Sequence, residues 1–176
     1  GVILSEEPNQ REDMTLLVDV GTNAEIVLGN STRLLACSSP TGPAFEGAQI
    51  SCGQRAAVGA IERVGIDPQT LEPRFKVIGS ALWSDDPEFA SESAATGITG
   101  ICGSGIIEVV AEMFLAGIVT VDGVIDGSLA SSCDRIVSND RTWSYLLHSG
   151  DTEITVTQND VRQIQLAKAA LYAGVK

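Results

Sequence analysis

Short apolar runs separated by turn-forming residues dominate the first forty positions and predict three strands. We expect these strands at about 15–20, 25–29 and 33–38, since each run is apolar and is followed by turn-forming residues. Three successive strands with connections this short form an antiparallel β-β-β meander. The first strand is apolar on both faces at Leu16, Leu17 and Val18, which favours a central strand covered on both sides.

Strand-like segments recur after the meander. Two are expected within 56–67 and 73–80, around a turn at 67–70. The acidic and small residues of 84–97 predict a surface loop. Three further short strands are expected later, at 135–137, 143–147 and 153–156.

Two longer segments carry helical signals. Apolar residues recur at helical spacing over 106–114, and on this helix Glu108 and Glu112 are expected to face solvent. Near the end of the chain, Thr157 and Asp160 have the spacing of a capping box that begins a final helix. Strands and helices in this order predict the α/β class, with a mixed sheet, the meander and flanking helices.

The amino-acid composition and the net charge indicate one globular unit with an acidic surface. Hydrophobic residues make up 44% of the 176 positions. The polar residues 1–14 are interpreted as a linker or lead-in, and 15–176 as one domain. The net charge of −12 argues against nucleic acid or an anionic membrane as a partner, since both need basic residues. A nucleotide site remains compatible, because backbone N–H groups and Mg²⁺ can build one.

Two further observations indicate a cytoplasmic location. No apolar run approaches the ~18–20 residues that span a bilayer, and the polar start lacks the order of a signal peptide. The four cysteines are widely spaced, which argues against a zinc or iron–sulfur site within this chain. We therefore expect four reduced thiols, most of them buried.

The turn between the first two strands is the first candidate site. Gly21 allows close approach of an anion, and Thr22 and Asn23 supply hydroxyl and N–H donors. Asp19, at the end of the strand, is suited to hold a hydrated cation or to orient an attacking water. The same residues also form ordinary hairpin turns, so a purely structural role stays open.

A second glycine-rich loop precedes the first long helix. Gly103, Ser104 and Gly105 place free N–H groups at a helix N-terminus, where the helix dipole favours an anion. The alternative is a tightly packed helix start with Ser104 as the N-cap.

Four other polar residues are candidates. Glu25 and Glu46 are potential bases or metal-sphere residues, or else surface carboxylates. Arg55 is suited to meet a phosphate or to form an ion pair. His148, the single histidine, is interpreted as an exposed loop residue.

Taken in order, five motifs resemble one family, the ATP-dependent reductive activators of corrinoid proteins. The motifs are Leu17–Gly29, Leu35–Ser38, Gly42–Gly47, Gly100–Gly105 and Gln165–Ala170. The C-terminal region of that family belongs to the actin/hexokinase/heat-shock-70 ATPase superfamily. The resemblance therefore implies that 15–176 is one actin-like ATPase lobe with a ribonuclease-H-like core.

The resemblance covers only part of such a protein. A [2Fe–2S] ferredoxin domain, the first phosphate loop and the adenosine loop of the family have no counterpart here, so we expect a lobe truncated at both ends. The second phosphate motif would be Asp19–Thr22.

For the intact protein, the resemblance implies ATP hydrolysis coupled to re-reduction of Co(II) corrinoid to Co(I). ATP and Mg²⁺ would be the cofactors of this lobe, and a corrinoid protein of a methyltransferase system its partner. Asp19 would act through Mg²⁺ or position the hydrolytic water, with Glu25 as a second catalytic candidate. Gly21, Thr22 and Asn23 would hold phosphate oxygens. Gly103, Ser104 and Gly105 would contact the nucleotide or another domain.

Two other functions stay open. The lobe could be a non-catalytic docking module for a corrinoid protein, or it could belong to a small-molecule kinase of the same superfamily. Because half a nucleotide cleft is expected to bind ATP poorly, enzymatic activity of this chain alone also stays open, as does homodimerisation.

Overall fold

The computed structural model describes residues 1–176, and its first sheet is the expected antiparallel meander. Strands β1 (Thr15–Val20), β2 (Ala24–Gly29) and β3 (Leu34–Ser39) lie in that order, joined by tight turns. The register pairs each residue of β1 with one of β2, including Asp19 opposite Glu25.

The predicted central position of the first strand is wrong. The centre is β2, whereas β1 forms an edge on which Leu16 is 47% and Val18 38% exposed. An apolar pattern on both faces reports what a strand is able to bury. It does not report which neighbours this chain supplies to cover it.

Two more three-stranded sheets follow. The second contains β4 (Ala60–Ile66), β5 (Pro73–Val77) and β6 (Gly100–Ile101) in the order β5-β4-β6, with β6 parallel to β4 and β5 antiparallel. The third is antiparallel and contains β7 (Ile136–Asn139), β8 (Thr142–His148) and β9 (Ile154–Thr157). The later strands thus lie close to their expected positions, and parallel and antiparallel pairs occur together.

Four α-helices and three 3₁₀ turns complete the fold. The helices are α1 (Val2–Glu6), α2 (Phe89–Ser93), α3 (Gly103–Leu115) and α4 (Gln158–Val175). The 3₁₀ turns are Pro8–Gln10, Pro43–Glu46 and Gly127–Ser131. None of the helices combines the length and the apolar composition of a membrane-spanning segment.

Helix α2 corrects the expectation of a loop over 84–97. Phe89 is buried and packs edge-on against Phe75, with ring centroids 5.9 Å apart. This single aromatic anchor holds a short helix in a segment that otherwise has the composition of a surface loop.

Helix α3 completes the edge of β4, which corrects the expected exposure of its glutamates. β6 pairs only with Ala60 and Ile61. Beyond them the Val64 N–H donates to Glu108 at 2.7 Å, and the Ile66 N–H donates to Glu112 at 3.1 Å. The spacing matches because four helical residues rise about 6 Å and two strand residues about 6.6 Å.

The main core lies between the second and third sheets and the two long helices. Its fully buried side chains include Ile61, Ile101, Ile106, Val109, Met113, Tyr145, Leu147, Ile154 and Val156. The meander is joined to this core by α4, whose Ala170 carbonyl accepts from the Ser39 hydroxyl at 2.6 Å. The predicted capping box at the start of α4, Thr157 with Asp160, is present.

The cysteines form no disulfide. Cys102 and Cys133 are buried, Cys52 is half-buried and Cys37 is exposed on β3. The expectation of mostly buried thiols therefore holds for two of the four.

Candidate functional site

The turn between β1 and β2 presents two unused backbone donors. The Gly21 N–H donates to the Asn23 carbonyl at 2.9 Å, whereas the amides of Thr22 and Asn23 donate to no protein acceptor. Adjacent free N–H groups of this kind form an anion-binding concavity. The predicted phosphate residues of the first loop therefore lie together at the hairpin tip.

Two carboxylates face each other just below this tip. Asp19 and Glu25 are directly opposite in the ladder, so their side chains project from the same face of the sheet. Both are exposed, and neither forms a salt bridge with a basic residue. Since like charges placed opposite each other repel, a cation between them would be stabilising.

This donor set fits Mg²⁺ in the way nucleotide sites use it. Magnesium prefers hard oxygen ligands and is usually held by one or two carboxylates together with waters and phosphates. No group of three or more His, Cys, Asp or Glu side chains is arranged to hold a metal ion. Asp19 and Glu25 would thus hold Mg²⁺ only together with further oxygen ligands, such as phosphate, hydroxyl or water oxygens.

The segment 41–47 locks the hairpin tip in place. The Thr41 hydroxyl donates to the Gly21 carbonyl at 2.7 Å, and the Gly42 N–H donates to the Thr22 carbonyl at 2.8 Å. The Thr22 hydroxyl in turn donates to Oε1 of Glu46 at 2.8 Å. Three contacts across about twenty residues thus fix the geometry of the predicted phosphate turn.

The same segment contacts the second glycine loop. A Cβ at Gly103 would lie 1.9 Å from the Phe45 carbonyl oxygen, so only glycine allows this approach. The amides of Gly103, Ser104 and Gly105 donate to no protein acceptor, as expected at a helix start. The segment 41–47 therefore bridges the two loops that the sequence singled out.

A cavity of about 600 Å³ opens at this bridge. Gly103 and Ser104 line it together with Glu46 and Arg55, and the Arg55 side chain forms no ion pair or hydrogen bond with the protein. Free helix N–H groups facing an unpaired guanidinium favour an anion at this position.

Two details of the second loop differ from expectation. Gly105 does not line the cavity but is buried against β4, where a Cβ would lie 2.4 Å from the Ile61 carbonyl oxygen. The N-cap position belongs to Cys102, and the Ser104 hydroxyl donates to the Glu62 carbonyl instead. Close helix–strand packing explains both, and glycine spacing alone does not distinguish it from ligand binding.

His148 lies apart from these loops. It is half-buried at the end of β8 and stacks edge-on against Phe75, 5.6 Å between centroids, so the expected exposed loop position is wrong. Burial, and secondarily the charge of Arg135, lowers its pKa below the ordinary value. It lines a different cavity, of about 670 Å³, with no residue in common with the glycine-loop cavity.

Sequence reasoning identified Glu46 and Arg55 as isolated candidates but missed their connection. It also missed Thr41, which is buried and has two acceptors in the hairpin. The motif Gly42–Gly47 was the available signal, because a Gly- and Pro-rich segment that ends in glutamate indicates a shaped loop.

An antiparallel meander with a glycine turn after a strand-end aspartate agrees with the ribonuclease-H-like core of an actin-like ATPase lobe. Residues 13–176 match the family described as "C-terminal domain of RACo the ASKHA domain". The chain belongs to this family of actin-like ATPase domains.

Relatives of the chain carry names from corrinoid activation. It is 33% identical over 171 residues to the "Corrinoid activation enzyme RamQ" of Eubacterium limosum, covering 92% of this chain and 26% of the relative. It is 30% identical over 112 residues to the "[Co(II) methylated amine-specific corrinoid protein] reductase" of Methanosarcina barkeri. This match covers 60% of the present chain and 20% of the relative.

A solved structure agrees with both relatives. It is described as "Reductive activator for corrinoid,iron-sulfur protein" and superposes with a TM-score of 0.82 at 35% identity, covering 98% of this chain and 26% of that one. The chain thus spans about a quarter of the length of the first relative and of this structure.

Proposed function

We propose that this domain is the nucleotide-responsive part of an ATP-dependent reductive activator, which restores Co(I) in corrinoid proteins of methyl-transfer systems. The names of the relatives support the substrate class. The observation that carries the nucleotide role is the hairpin tip, where two free amides lie beside an uncompensated carboxylate pair.

In this proposal each part of the tip has one task. The amides of Thr22 and Asn23 bind phosphate oxygens, and Gly21 keeps the backbone accessible to them. Asp19, with Glu25 opposite, would hold Mg²⁺ or orient the water that attacks the terminal phosphate. Bound Mg²⁺ would neutralise negative charge on the phosphates.

The second loop supplies a further anion subsite. The N–H groups of Gly103 and Ser104, with Arg55 across the cavity, are positioned for a phosphate or another anionic group. Gly105 has only a packing role, since it is buried away from the cavity.

ATP would promote electron delivery by changing the conformation of the activator, and it would not react at the cobalt itself. Reduction of Co(II) corrinoid is uphill for ordinary donors, and a [2Fe–2S] domain elsewhere in such an activator would supply the electron. Nucleotide binding shifts the population of closed lobes, and closure changes the affinity for the corrinoid partner. The location would be the cytoplasm, where the four unpaired cysteines stay reduced.

Calorimetric titration of the chain with Mg-ATP and Mg-ADP tests the nucleotide role. We expect binding that is lost in Asp19→Ala and retained in Asp122→Ala, a matched change at another exposed aspartate. Absence of binding by the unaltered chain, or equal loss in both variants, would contradict a phosphate site at this hairpin.

The exposed meander favours a second candidate, a docking surface. Leu16, Leu28 and Leu35 form one cross-strand row and are 47%, 39% and 50% exposed. Apolar rows of this kind mark interaction sites. If Leu35→Glu abolishes binding to a corrinoid protein while Mg-ADP binding persists, docking uses this face. If the change instead dissociates a homodimer in analytical ultracentrifugation, the row joins two copies.

A further inference from the structure

The Thr22 hydroxyl donates its proton to the carboxylate of Glu46. A hydroxyl carries one proton and two lone pairs, whereas an ionised carboxylate only accepts hydrogen bonds. The 2.8 Å contact between Thr22 Oγ1 and Glu46 Oε1 therefore uses the single proton in a charge-assisted bond. A phosphate oxygen is also only an acceptor, so it would have to compete with Glu46 for that proton.

The backbone of Glu46 is fixed by packing, and its side chain is exposed. It ends the 3₁₀ turn Pro43–Glu46, in which Ala44 is buried, and it is followed by Gly47 with φ 81°. A Cβ at Gly47 would lie 2.6 Å from the Gln54 carbonyl oxygen. This packing, together with the Phe45–Gly103 contact, holds the backbone of Glu46 against the hairpin.

Gly21 lies next to this contact. The nearest atom to a Cβ built on Gly21 is Oε1 of Glu46, at 3.5 Å. The glycine of the predicted phosphate turn thus faces the Glu46 carboxylate, at a distance that would be an ordinary contact for a Cβ.

We propose that Glu46 is a positioning residue of the nucleotide site, which takes the Thr22 proton and leaves the hydroxyl oxygen free to bind magnesium. The inference rests on the proposed function and refines it. Thr22 contacts phosphate through its amide and the metal through its hydroxyl oxygen. A hydroxyl oxygen is a hard ligand, and donation to a carboxylate increases its electron density.

Manganese alone provides a direct probe, because its binding is measured by water-proton relaxation without nucleotide. Thr22→Val removes the ligand oxygen with no change of charge, and Glu46→Ala removes the positioning carboxylate. We expect each to weaken Mn²⁺ binding by about tenfold, the lower end for loss of an outer-sphere partner. Thr22→Ser retains the hydroxyl and should retain affinity, as should Glu153→Ala, which removes one exposed carboxylate elsewhere.

The double variant Thr22→Val/Glu46→Ala separates the mechanism from general charge loss. If both residues act through one hydroxyl, the double variant binds Mn²⁺ no more weakly than the single variants. Additive losses would mean that Glu46 acts independently of Thr22 and would overturn the inference. So would unchanged affinity in Thr22→Val. Circular dichroism melting checks that each variant is folded.

A second titration distinguishes the competing role of Thr22. With metal removed by EDTA, ADP binding should be unaffected by Thr22→Val. If the hydroxyl donated to phosphate, Thr22→Val would weaken this metal-free binding and Glu46→Ala would not. Mn²⁺ binding with no ADP binding would contradict the proposed function and leave the inference standing, whereas no Mn²⁺ binding by the unaltered chain would overturn the inference.

Discussion

The glutamate edge of α3 allows a quantitative test of how the second sheet is completed. Glu108 accepts the Val64 N–H at 2.7 Å and pairs with Arg63 at 2.9 Å, and its side chain is 26% exposed. Glu108→Ala leaves the Val64 donor without a partner at the open edge of β4. We expect a loss of about 2–3 kcal/mol, the range for a hydrogen bond to a charged group in a partly buried position.

The ion pair contributes little to that total. The Arg63 side chain is 58% exposed, and exposed ion pairs contribute little to stability because solvent screens them. Arg63→Ala is therefore the matched control, with a much smaller expected loss than Glu108→Ala. Glu108→Gln retains an acceptor for Val64 and should fall between the two.

Denaturant unfolding monitored by circular dichroism measures these differences. A loss of 2–3 kcal/mol also lowers Tm by roughly 4–12 °C for a chain of this length. Equal losses in Glu108→Ala and Arg63→Ala would show that the ion pair dominates. A loss below about 0.5 kcal/mol in Glu108→Ala would refute the idea that α3 completes the sheet edge.

The stabilisation by Glu108 should depend on pH, and the pKa of Glu108 gives the direction of that dependence. Burial tends to raise the pKa of Glu108, but hydrogen bonds from Arg63 and the Val64 N–H outweigh burial, so the pKa lies below its ordinary value of 4.5. As pH falls, the unfolded chain takes up this proton first. The stabilisation is therefore complete above the ordinary pKa and is lost as pH falls through the folded one. Glu108→Gln should lack this component.

Three further outcomes are expected. Gly103→Ala should lower the free energy of unfolding by about 1–3 kcal/mol, because its Cβ would meet the Phe45 backbone. Gly65→Ala is the control, since its Cβ would make only ordinary contacts, and urea titration compares the two variants. Thr41→Val removes the hydroxyl donor that the Gly21 and Thr22 carbonyls share, and it should cost about 1–2 kcal/mol and weaken Mg-ADP binding in calorimetry. Stability loss without weaker binding would separate packing from function. In an NMR pH titration the pKa of His148 should lie below 6.5 and rise in Arg135→Ala, and a value at or above 6.5 in the unaltered chain would contradict the burial of its ring.

Much of the local structure followed from the sequence because it depends on neighbouring residues. Apolar runs between turn residues located the strands of the meander. The Thr157–Asp160 spacing located the start of α4 to the residue. A capping box joins groups three residues apart, so its energetics are contained within one turn of helix.

Only part of the candidate site could be predicted from the sequence in this way. The hairpin residues Asp19, Gly21, Thr22 and Asn23 lie within five consecutive positions, and their proximity follows from the turn itself. Their contact with Glu46 spans 24 residues and depends on the packing of the Pro43–Glu46 turn. Gly105 is the opposite case. Its place in a glycine-rich loop suggested ligand binding, but in the structure it allows α3 to pack closely against β4.

By itself, the sequence determined the approximate positions of the meander strands and of the two long helices, and it indicated the candidate phosphate turn, because these features are set within a few positions. Only the tertiary structure decided that β1 is an edge, that Glu108 and Glu112 cap β4, and that Glu46 meets Thr22. Those outcomes depend on which distant segments pack together, and many arrangements bury the same apolar residues equally well. Long-range packing therefore turned two separate glycine loops into neighbouring parts of one candidate site.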